Sequence, residues 1–83
     1  MKKTIADFTE TEFLNFVIKI YEVDYPTDKT HTDAIFEFER LSEHPKKSDL
    51  IFYPDHGKSG PASIVEEVKS WRLANGKPGF KTE

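Results

Sequence analysis

The side chains here that could do acid–base or metal chemistry are His31, His44 and His56 with the carboxylates near them. A hydrolytic or metal site needs them to converge, and no two of the histidines stand at i, i+4 on one helix. His44, Asp49, Asp55 and His56 could meet only through loops, with no nucleophile or phosphate-binding loop beside them. "GKSG" at 57–60 has part of a phosphate loop but lacks the leading glycine and the preceding strand. His44, directly before Pro45, reads as a structural hydrogen-bonding group at a helix end. The sequence therefore predicts no catalytic residue, no metal and no cofactor: the protein is not an enzyme.

A second set of residues can do something else. "SDLIFYP", residues 48–54, places four apolar or aromatic residues between an acid and a proline. A lone strand would have nothing to pair with, so a single helical turn capped by Ser48 is expected. A turn that short cannot bury Leu50, Ile51, Phe52 and Tyr53 all on one side. Tyr53 is the one expected to face out, because its ring supplies contact area while its hydroxyl still needs a partner. With Asp49 it forms a candidate contact pair, and Pro54 pins the turn.

The elements that position this segment are helices. In "DFTETEFLNFVIKIYEV" Thr9 is an N-cap with Glu12 three residues later, a capping box, and Phe8 with Phe13 forms a hydrophobic staple. Phe13, Phe16, Val17 and Ile20 follow at helical spacing. "DYPTDK" reads as a loop. "THTDAIFEFERLSEHP" reads as a second helix, capped by Thr30 or a near neighbour and ended by Pro45. The last helix starts at Pro61 and stops before Gly76 and Pro78, with Ile64, Val65, Val68 and Trp71 as its buried stripe. The tail "KPGFKTE" is expected to be loosely held apart from Phe80. The prediction is an all-α protein, a small antiparallel bundle of three long helices and one short one, forming a single domain over 1–83.

The second helix can be read by angle, at ~100° per residue. Ala34 and Leu41 fall beside Phe38 and form the core stripe, while Phe36 falls nearly opposite. Between Phe36 and the core edge lie Thr32, Ile35, Glu39 and Glu43. An aromatic and a β-branched residue thus share an outer face with acids. That is either a broad buried face or an isolated exposed phenylalanine, or else a binding face with apolar anchors and acidic steering.

Charge bears on the choice. The 83 residues carry a net charge of −3, but residues 7–43 hold ten acids against three bases, so that stretch is −7 and the remainder +4. An acidic first half disfavours nucleic acid as a direct ligand and favours a basic protein partner. There is no cysteine, no apolar run of membrane-spanning length, and no signal-peptide core in "MKKTIADFTETEF". A cytoplasmic protein is expected.

In order, "FTETEF", "SEHP", "SDLIFYP" and "SGPASIVEEVKSWRLANGKPGFK" resemble the immunity proteins of the DNase-type colicins and pyocins, bacterial inhibitors that protect a toxin producer from its own nuclease. The resemblance implies a distorted four-helix bundle whose third helix is the short turn, and tight binding to the nuclease domain of a cognate toxin. In that family the short helix usually carries two adjacent tyrosines after Asp-Leu-Ile. Here Asp49 and Tyr53 match, Ser48 and Pro54 flank them, and Phe52 replaces the first tyrosine, so its hydroxyl is absent. The family's second helix varies and selects the partner. The positions falling there are Asp28, His31, Thr32, Ile35, Phe36 and Glu39.

The implied mechanism is exosite inhibition: the acidic second and third helices dock beside the nuclease's catalytic centre and exclude DNA by overlap and like charge. The protein would be a monomer when free and a heterodimer with the toxin. The reading from another class is a small acidic regulator that mimics DNA toward a basic DNA-binding protein. A toxin gene directly upstream separates the two.

Overall fold

The computed structural model describes residues 4–53 and 60–82. A 3-10 turn, Ile5–Asp7, precedes α1 (Glu10–Tyr21), α2 (Asp28–Ser42), the one-turn α3 (Asp49–Phe52) and α4 (Pro61–Ala74). No strand occurs among the described residues, only an isolated bridge between Thr9 and Lys81. The expected all-α bundle with a short third helix is what the chain forms.

Helix α1 begins as its sequence dictates. The Glu12 amide donates to Thr9 Oγ1 at 3.1 Å, and Glu12 Oε1 accepts from the Thr9 amide at 2.9 Å. Phe8 closes the staple, its ring edge-on to Phe13 at 6.3 Å. Phe13 is the hub of the core: fully buried, it meets Phe16 at 6.0 Å, Phe38 of α2 at 5.9 Å and Phe80 of the tail at 5.3 Å. Burial of such a ring stabilises by about 1.5–3 kcal/mol. Phe80 is held as expected, but the tail is tied more firmly than the sequence suggests, since the Lys81 amide donates to the Phe8 carbonyl at 2.7 Å. Val17, Ile20, Ala34, Leu41, Leu50, Ile51, Ile64, Val65 and Val68 complete the core from all four helices.

Three sequence expectations change. Helix α2 starts at Asp28, two residues before Thr30, because Thr27 is its N-cap. Thr27 Oγ1 accepts from the Thr30 amide at 3.1 Å, and Thr30 stands at the third helical position. The helix also stops at Ser42, ahead of Pro45, with Glu43 in the left-handed region at φ 56°. On α4 the charged Arg72 takes a place in the buried stripe, only 4% exposed, while Trp71 is half-buried against His44 at 5.1 Å.

Arg72 is buried because the end of α2 needs donors. Its Nη1 donates to the Leu41 and Ser42 carbonyls, both at 3.2 Å, and to Glu43 Oε2 at 3.0 Å, while Nε donates to the Pro78 carbonyl at 2.9 Å. The last carbonyls of a helix have no intrahelical partner, and here a guanidinium from another helix satisfies them. One side chain thus joins α2, α4 and the tail.

Candidate partner-binding face

The face is built where α1 turns into α2 and where α2 passes α3. His31, on the first turn of α2, donates from Nε2 to the Ile20 carbonyl at 3.0 Å, and its ring lies 5.6 Å from Tyr25. Lys19 sits over the other side of that system, 5.0 Å from the Tyr25 ring. Burial pushes the Tyr25 phenol above its ordinary value, and the Asp24 charge adds to the effect. The geometry therefore directs His31 inward, where it fixes the α1–α2 angle.

Helix α2 then presents its outer side. Phe36 is 62% exposed, Thr32 and Asp28 are exposed, and Ile35 is half-buried with part of its side chain against the core. Glu39 is half-buried, and its Oε2 accepts the Ser48 amide at 3.2 Å. That bond holds the start of α3 against α2. Ser48 caps α3 by position only: its side chain makes no cap hydrogen bond.

In α3 the split expected of a single turn is present. Leu50 and Ile51 are buried, Phe52 is 48% and Tyr53 78% exposed, and Asp49 is exposed. The Tyr53 amide closes the turn on the Asp49 carbonyl at 2.8 Å. Pro54 lies outside the described residues.

Of the acids, several are neutralised by the chain itself. Asp33 pairs with Lys29 at 3.1 Å, Glu37 holds Arg40 through two bonds of 2.7 and 2.6 Å, and Glu43 takes Arg72 and Lys77. Hydrogen bonds from Arg72 and then Lys77 hold the Glu43 carboxyl below its ordinary value. Glu22, Asp24, Asp28 and Asp49 are exposed and make no ion pair within the described residues. Asp7 and Glu66 share that state but lie off this face, on the 3-10 turn and α4.

The residues weighed for catalysis do something else. His44 is buried, accepts the Lys46 amide at Nδ1 (3.1 Å), and therefore carries its proton on Nε2, which donates to Glu67 at 3.0 Å. It is the structural group expected at the end of α2. Asp55 and His56 lie outside the described residues. Among those described, no three His, Asp or Glu side chains gather as a metal site would require. An open pocket of about 350 Å³ is lined by Glu10, Lys69, Leu73, Lys77, Gly79, Phe80 and Lys81, and includes none of the residues weighed for catalysis and none of α2 or α3.

Tyr21 and Val23, both exposed, were missed by sequence reasoning. The available signal was that the apolar run "IKIYEV" continues past the end of the helix it belongs to.

Exposed aromatic centres with an acidic margin that is unpaired within the described residues have the composition of a protein–protein contact surface on a small helical protein. Over residues 5–74 the chain matches the family described as colicin immunity protein / pyocin immunity protein. The pyocin S1 and pyocin S2 immunity proteins of Pseudomonas aeruginosa are each 47% identical to it over 98% of both chains. Its fold superposes on a chain of the pyocin AP41 DNase–immunity complex with a TM-score of 0.89 at 38% identity, covering 99% of this chain and 100% of that one. A chain from the complex of the pyocin S8 nuclease domain with its cognate immunity protein gives a TM-score of 0.89 at 32% identity, covering 98% and 100%. The protein belongs to the colicin/pyocin immunity family.

Proposed function

We propose that this chain binds the nuclease domain of a cognate pyocin- or colicin-type toxin through α2 and α3 and inhibits it at an exosite, protecting the cell that makes the toxin. The observation that carries the reading is the outward display of Phe36, Phe52 and Tyr53 beside unpaired Asp28 and Asp49. An aromatic centre with a polar margin is the usual composition of a protein–protein hot spot.

Phe52 and Tyr53 supply the contact common to different toxins, and Thr32, Ile35 and Phe36 select among them. Glu39 holds α3 against α2, and His31 holds α2 against α1. With the nuclease seated, Asp28 and Asp49 stand where DNA phosphates would approach, and the bulk of the bundle covers the route to the catalytic centre. The inhibitor performs no bond chemistry of its own and has no turnover. No described helix is long and apolar enough to cross a membrane, so the reading needs no bilayer.

The test is to mix purified protein with the nuclease domain encoded beside its gene and follow DNA cleavage. Stoichiometric loss of cleavage with a one-to-one complex supports the reading, and full cleavage at saturating protein refutes it.

A further inference from the structure

Two helices of this chain end in the same hydrogen-bonded device with different residues at its critical point. At the end of α4 the Lys77 amide donates to the Arg72 carbonyl at 2.9 Å and the Gly76 amide to the Leu73 carbonyl at 3.2 Å. At the end of α1 the Asp24 amide donates to the Lys19 carbonyl at 2.9 Å and the Val23 amide to the Ile20 carbonyl at 3.1 Å. Both are Schellman motifs, and the motif puts its penultimate residue in the left-handed region. Gly76 sits there at φ 67° without penalty, whereas Val23 sits there at φ 55° with a β-branched side chain.

A second left-handed residue shows what compensation looks like. Glu43, at φ 56°, has its carboxylate held by Arg72 and Lys77. Val23 has no such return: its side chain is 57% exposed and lies outside the core cluster. A strained, solvent-facing valine contributes nothing evident to the free fold. It stands three residues beyond Ile20, whose carbonyl His31 holds, and so beside the N-terminal end of α2. Unpaired Glu22 and Asp24 flank it, and exposed Tyr21 lies one residue further back.

We infer that Val23 is an apolar contact for the toxin's nuclease domain, extending the α2–α3 face onto the α1–α2 turn at the expense of the free protein's stability. The inference rests on the proposed function. The occupant is the nuclease because the surround is acidic, as a basic partner requires, and because, of the six large apolar side chains exposed among the described residues, five fall from Tyr21 to Tyr53.

The experiment compares Val23→Gly, Val23→Asn and Val23→Ile with the wild type, measuring unfolding midpoints and affinity for the catalytically inactivated nuclease domain encoded beside the gene. Glycine and asparagine relieve the left-handed strain, so each should raise the midpoint by roughly 4–8 °C. Each also removes the apolar branches and should weaken binding about tenfold, chiefly in the off-rate. Isoleucine keeps both properties and should stay near the wild type. A lowered midpoint, or Val23→Gly and Val23→Asn binding as tightly as the wild type, overturns the inference while leaving the functional reading standing. A wild-type chain that leaves the nuclease unbound removes the functional reading, and this inference with it.

Discussion

The Glu39 carboxylate of α2 accepts the Ser48 amide at the start of α3, 3.2 Å away across a loop. That single bond ties α2, proposed to select the partner, to α3, proposed to anchor it. Glu39 was expected from the sequence to touch the partner. Its geometry makes it first a support for the partner's landing site. Glu39→Ala should lower stability by about 1 kcal/mol and weaken binding to every nuclease tested. Glu39→Gln keeps an acceptor and should recover most of both. A loss confined to one nuclease would instead mark Glu39 as a selective contact.

Arg72 should be among the most sensitive positions outside the binding face. Arg72→Met fills similar volume but leaves the Leu41 and Ser42 carbonyls without their donor and Glu43 without its nearest cation. A destabilisation of about 3 kcal/mol is expected by chemical denaturation, with little change in nuclease affinity at temperatures where the variant stays folded.

The pH dependence follows from Glu43. Its carboxyl is held below the ordinary value of 4.5 by hydrogen bonds from Arg72 and Lys77. Because the folded pKa is depressed, the stabilisation is fully present above the unfolded value and is lost as pH falls through the folded one. The carboxylate is half-exposed, so solvent screening keeps the effect below about 1 kcal/mol. Glu43→Gln should be less stable than the wild type at pH 7 and should converge with it as pH falls through the depressed folded pKa, below the ordinary 4.5. Parallel curves over that range would contradict the assignment.

Steering should come from Glu22, Asp24, Asp28 and Asp49, the exposed acids of this face that make no ion pair within the described residues. Stopped-flow association with the nuclease domain should slow by about tenfold between low and physiological salt, with a smaller change in dissociation. Replacing all four by their amides should remove most of that slope. A similar loss from Asp33 and Glu37 would show that internal pairing does not silence an acid.

Much of this was legible in the sequence because local signals and global packing agree. Phe8, Thr9, Glu12 and Phe13 announce the start of α1, and Phe38 with Ala34 and Leu41 announces the core stripe that leaves Phe36 outside. Legibility failed where a long-range contact overrode a local rule. Arg72 was passed over because charged residues seldom lie in a buried stripe, and only the carbonyls of a distant helix explain its place. His31 was placed on the open face because the Ile20 carbonyl that turns it inward comes from the preceding helix. For Val23 the only signal was the apolar run continuing past its helix, since its left-handed backbone is imposed by the way α1 ends.

The central claim is that α3 anchors and α2 selects. Its most direct test is a panel of dissociation constants for the wild type, Tyr53→Ala, and a Thr32→Val, Ile35→Val, Phe36→Leu triple variant. The panel uses the nuclease domain encoded beside the gene and those of pyocins AP41 and S8, with unfolding midpoints as control. Tyr53→Ala should cost at least about 2 kcal/mol toward each nuclease that binds, leaving their order unchanged. The triple variant should reorder the nucleases by more than it changes stability. If Tyr53→Ala reorders them while the triple variant weakens all equally, the roles of the two helices are reversed and the account is wrong.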